Sequence, residues 1–142
     1  MPLIILAVAG VALSTAKPAS ADFDPGATTR PALQACVKTK PAARCVQPIY
    51  ERCSGQGDQP NTQLQMNFCA ADVARAVRAM RLDQAAHAGR SSMEIQARAK
   101  ILDRQYERRC DNTNPFGKDG SGYPMAQWLC IAKAWARSPL TR

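Results

Sequence analysis

A single histidine, His87, is all the imidazole that this 142-residue chain carries. Nucleophilic catalysis of the Ser/His/Asp or Cys/His kind needs a base beside its nucleophile. His87 lies late in a long helical stretch among alanines, where a helix-end imidazole is the commoner meaning. The chain has no CxxC pair, no CxxCH and no glycine-rich phosphate loop. Those absences argue against a zinc knuckle, a c-type haem and a nucleotide cradle. Paired carboxylates are lacking too, because Asp103 and Glu107 stand one turn apart among arginines rather than across a cleft. We therefore expect no catalytic residue, no metal, no cofactor and no enzymatic activity. Strand-like alternation and internal repeats are also missing, so an all-α fold is expected.

No apolar run exceeds Leu3 to Leu13, which is too short to cross a bilayer as a permanent helix. Ala19-Ser20-Ala21 follows it as a small-x-small cleavage pattern, so residues 1–21 read as a secretory signal. No Lys or Arg precedes the run, and no Cys follows the cleavage point to take a lipid. The expected mature protein is periplasmic or secreted, with no integral membrane segment. Residues 22–31 (DFDPGATTRP) carry turn formers and read as a flexible arm before a single domain over 32–142.

What the chain does have is six cysteines and a surplus of cations. Cys36, Cys45, Cys53, Cys69, Cys110 and Cys130 make an even count in a short exported chain, best read as three disulfides. The formal net charge is +8, one of which leaves with Lys17 of the signal. Such a balance suits anionic polymers, and it also simply keeps a small protein soluble.

Helical periodicity is strongest from Thr62 to Gly89. Met66, Ala70, Val73, Ala76, Val77 and Met80 recur at steps of three and four between a candidate N-cap and a candidate glycine stop. That predicts a helix of about 26 residues, roughly 40 Å long. Ser91 to Glu94 fits a capping box that opens a second helix with the stripe Ile95, Ala99, Leu102, Tyr106 and Cys110. The short turn between them predicts an antiparallel hairpin over about 62–88 and 92–110. Pro124 suits the first turn of a C-terminal helix with Met125, Trp128, Leu129, Ala132 and Trp135 inward. Short helical pieces precede the hairpin, one of them bent or split at Pro48. Leu64 and Phe68 project away from the main stripe, so the Cys-rich N-terminal segment is expected to cover them. Arg75 and Arg78 are expected to be solvated.

The cysteine ladder Cys36-x8-Cys45-x7-Cys53-x15-Cys69, the helix end Tyr106-Glu107-Arg108-Arg109-Cys110 and the run Gly120-Ser121-x-x-Pro124-Met125-x4-Cys130 resemble the LprI-type lysozyme inhibitors of bacterial envelopes, in their six-cysteine form. The resemblance spans Cys36 to Cys130. It implies an all-helical domain that binds and blocks a muramidase without chemistry of its own. Val73, Val77-Arg78, Arg81-Leu82, Leu102 and Tyr106 stand where that family carries polar or tryptophan signature residues. Six cysteines allow fifteen pairings. We favour Cys110–Cys130, joining the last two helices, and Cys53–Cys69, tying the N-terminal segment to the long helix, which leaves Cys36–Cys45.

Two binding surfaces follow. An inhibitor of cationic lysozyme needs a local acidic patch, for which Asp103, Glu107 and the Gly120-Ser121 loop are the candidates. A non-inhibitory module would instead hold anionic envelope polymer through Arg75, Arg78, Lys100, Arg104 and Arg108.

Overall fold

Five helices order the chain in a computed structural model that describes residues 25–58 and 60–141. They are α1 (Pro25–Cys36), α2 (Ala42–Ser54), α3 (Gln63–His87), α4 (Ser92–Asn112) and α5 (Tyr123–Ala136), with a closing 3-10 turn at Pro139–Thr141. No strand occurs among the described residues. The expected signal and the first three residues of the expected arm lie outside them. Residues 25–31 of that arm are helical, which corrects the sequence reading. Thr29 and Leu33, one turn apart, are both buried and fix this face of α1 against α2 and α3. Burial against partners outweighs the poor helix propensity of PGATTRP. Likewise α2 runs unsplit through Pro48, because Cys45, Val46, Ile49, Tyr50 and Cys53 are all buried on either side of the proline.

α3 is the axis of the molecule. Cys69, Ala70, Ala71, Val73, Ala74, Ala76 and Val77 are buried, so its middle is enclosed on most sides. Its ends are set locally. Thr62 Oγ1 accepts a hydrogen bond from the Gln65 N–H at 3.2 Å, capping the N-terminus. At the other end Gly89 takes φ +82°, while its N–H reaches the Ala86 carbonyl and that of Arg90 reaches Ala85. This is the left-handed stop that glycine makes without steric cost. Ser91 and Glu94 then exchange both bonds of the capping box that starts α4.

The hairpin of α3 and α4 is joined across its middle by Arg78 and Asp103, which stand at similar distances from the turn. The closest and longest packing of α3, however, is with α5, which also lies against α2 and α4. α5 runs back along α4, since Tyr123 meets Asp111, Gln127 meets Glu107 and Trp135 meets Asp103. Ala71 and Ala74 give α3 a low profile on that side, which lets the α5 backbone come near. The buried face of α5 is Ile131, Ala132, Trp135 and Ala136; Trp128 is only half-buried.

Three disulfides staple the bundle: Cys36–Cys45, Cys53–Cys69 and Cys110–Cys130, the arrangement favoured from the sequence. They tie α1 to α2, α2 to α3 and α4 to α5 in turn. No cysteine is left free. A protein so cross-linked belongs in an oxidising, extracytoplasmic setting. No helix among the described residues is long and apolar enough to cross a membrane. Leu64 and Phe68 are not covered by the N-terminal segment, which corrects the sequence reading: they are 65% and 49% exposed. The Cys53–Cys69 bond draws α2 onto the core side of α3, and Phe68 is turned about 100° from Cys69 around the helix.

Candidate functional site

Arg78 and Asp103 form the most highly organised polar cluster of the molecule. The guanidinium donates from Nε and Nη2 to both carboxylate oxygens at 2.8–3.2 Å, a two-pronged pair. Trp135 Nε1 donates to Asp103 Oδ1 at 3.1 Å, and the Arg78 guanidinium lies 5.5 Å from the centre of the Trp135 ring. Tyr106 completes the stack with its ring edge-on to Trp135, centroids 5.5 Å apart. Trp135 is fully buried, so its N–H needs an acceptor, and Asp103 supplies it.

This arrangement corrects two sequence expectations. Arg78 is not a solvated cation, because its charge is matched by Asp103. Asp103 is not a free acid offered to a partner, because Arg78 and Trp135 already use its oxygens. The signal for this was present in α3 as a second row of small residues, Ala71 and Ala74, leading to Arg78. Glu107 stays exposed at the rim of a shallow cleft of about 60 Å³ that Arg75 and Trp128 also border.

Gly120 and Ser121 are exposed at the tip of the α4–α5 connection. Gly120 donates to the Gly117 carbonyl at 2.8 Å and accepts from the Tyr123 N–H at 3.0 Å, so the segment is a pair of tight turns. An added Cβ at Gly120 would come within 3.1 Å of the Gly117 carbonyl oxygen. The connection is clamped at its base. Tyr123 Oη donates to Asp111 Oδ1, and Lys118 pairs with Asp111 Oδ2 at 3.1 Å. The Tyr123 hydroxyl bond, then Lys118, hold the Asp111 carboxyl below the usual carboxylate range. The same contacts raise the Lys118 ammonium, and the Asp111 bond raises the Tyr123 hydroxyl.

The remaining predicted cations are on the surface. Lys100, Arg104 and Arg108 are exposed at successive steps of four along the outer face of α4, and no ion pair among the described residues holds them. Arg75 is 64% exposed and leans on Asp72 at 3.7 Å. His87 ends α3, exposed, with Nδ1 2.7 Å from the Asp83 carbonyl oxygen. Among the described residues no group of three or more His, Cys, Asp or Glu side chains is placed to hold a metal ion.

Comparison with protein-family models, with curated proteins and with solved structures gave no match.

Proposed function

We propose that this is an exported, non-catalytic binding module of the bacterial envelope, periplasmic or secreted, that docks through α4 onto an anionic envelope polymer. The observation that carries this reading is the row Lys100, Arg104 and Arg108. Three free cations about 6 Å apart on a rigid helix offer a linear array to a chain of repeating negative charges. α4 is held by its capping box at one end and by Cys110–Cys130 at the other, so the row keeps its spacing. Arg75 stays exposed on α3, whereas Arg78 is neutralised by Asp103.

The test is retention of the oxidised mature chain on immobilised heparin. K100Q/R104Q/R108Q should elute at clearly lower salt than the parent, with a shallower dependence of log affinity on log salt. Equal retention of parent and triple variant would overturn the reading.

A second reading keeps the muramidase inhibition that the LprI-type resemblance implies. It is favoured by Glu107, a free exposed carboxylate beside Trp128, and by the exposed Gly120-Ser121 tip. Against it, the net positive charge repels a cationic lysozyme during encounter, although salt shortens that repulsion to about 8 Å. A lysis assay on cell-wall suspensions with excess protein at low and physiological salt separates the readings. Unchanged lysis at both removes inhibition; protection that disappears in Glu107→Lys supports it.

A further inference from the structure

A second surface, independent of the outer face of α4, lies between α4 and α5. The groove has a volume of about 570 Å³, within the range that accepts small ligands. Its floor is apolar, built from Tyr106, Met125, Ala126, Leu129 and Ala134 with the Cys130 bridge among them. Thr113 and three cations border it, Lys133 and Arg137 one turn apart at the end of α5 and Arg109 on α4. No acidic side chain lines it, and no ion pair among the described residues engages these three.

An apolar strip whose only charged lining residues are cations selects a molecule that is apolar along its body and anionic at its head. From Met125 to Arg137 the strip runs about 18 Å along α5, the reach of one medium-length alkyl chain with its head group. It is one helix face wide, which suits a single chain. We infer that the α4–α5 groove binds a single-chain fatty carboxylate, with the carboxylate between Lys133 and Arg137 and the alkyl chain over Leu129, Ala126 and Met125. Arg109 flanks the chain with its methylene stem and turns its charge outward, as long basic side chains do. The Cys110–Cys130 bond holds the two walls at a fixed separation, so little ordering is needed on binding.

Calorimetric titration of the oxidised mature chain with sodium laurate, below its micelle concentration, tests this. One saturable site is expected. Dodecanol, which lacks the charge, should bind at least about 10-fold more weakly. R109Q/K133Q/R137Q should weaken laurate by about 10-fold, the scale for losing the two solvent-exposed charge contacts that Lys133 and Arg137 make to the carboxylate. Ala126→Trp should fill the floor and abolish binding while helix content stays unchanged. K100Q/R104Q/R108Q should leave laurate binding intact, which separates this site from the polymer face. Equal binding of laurate and dodecanol, unsaturable uptake, or unchanged affinity in R109Q/K133Q/R137Q would overturn the proposal. So would a glutamate-rich amphipathic peptide that displaces laurate at lower concentration, since the groove would then favour a helix over an alkyl chain.

Discussion

At the scale of single residues, Asp103 shows why a charge read from a helical wheel can mislead. On α4 it stands between Lys100 and Arg104 and looks like part of a mixed, solvated face. In the fold it answers two demands at once, the Arg78 guanidinium and the buried Trp135 N–H. Removing it leaves a half-buried cation without its partner and a buried donor without an acceptor. Asp103→Ala should therefore cost about 2 kcal/mol in urea unfolding, after allowing for the partial exposure of the pair. Arg104→Gln, one residue along and fully outside, should stay within about 0.5 kcal/mol. Trp emission, dominated by the changed surroundings of Trp135, gives the unfolding curves. Equal stability of the two variants would mean that Asp103 is a surface charge after all.

At the scale of elements, the connection between α4 and α5 behaves as a charge-clamped unit. The Asp111 carboxyl titrates lower in the folded chain than when free, because Tyr123 and Lys118 stabilise its ionised form. The clamp's contribution is present above the ordinary carboxylate value near 4 and fades as pH falls through the lowered folded value. Amide exchange of Tyr123, whose N–H bonds to the Gly120 carbonyl, should report it. The protection gap between parent and Tyr123→Phe should be constant from pH 5 to 7 and shrink progressively below about pH 4. A gap that does not change with acid would show that the hydroxyl does not depend on the ionised carboxylate. The raised Tyr123 hydroxyl points the same way, since it remains protonated to a higher pH than usual and keeps donating.

For the whole molecule, stability rests on staples as much as on the core, because a chain of this size encloses few large side chains. Trp135 and Leu140 are the largest that are fully buried. Loop-closure entropy predicts unequal staples. Cys110–Cys130 closes a longer loop than Cys36–Cys45, with sequence separations of 20 and 9. Replacing the first pair by serine should cost about 3 kcal/mol, and the second about 2.5 kcal/mol. Thermal unfolding of the two double variants should thus rank them in that order. A reversed order would show that the short N-terminal loop stabilises through packing of α1 on α2 and α3 rather than through chain entropy.

The sequence by itself determined what depends on near neighbours. The class of fold, the caps at Thr62 and Ser91, the Gly89 stop and the burial of the α3 stripe are functions of residues three to five apart. Helical periodicity and turn chemistry read such separations directly. The six cysteines likewise announced a cross-linked, extracytoplasmic chain without any knowledge of shape. Tertiary structure decided the rest, wherever one helix has more than one face to offer. Only the approach of α5 to α3 turned Arg78 inward and gave Asp103 its two donors. Only the placement of α2 left Leu64 and Phe68 bare, and only the antiparallel run of α5 along α4 brought Arg109 into one groove with Lys133 and Arg137. A helix repeats its pattern every few residues whichever neighbour it meets, so the choice of neighbour lies outside the pattern and within the packing of the whole.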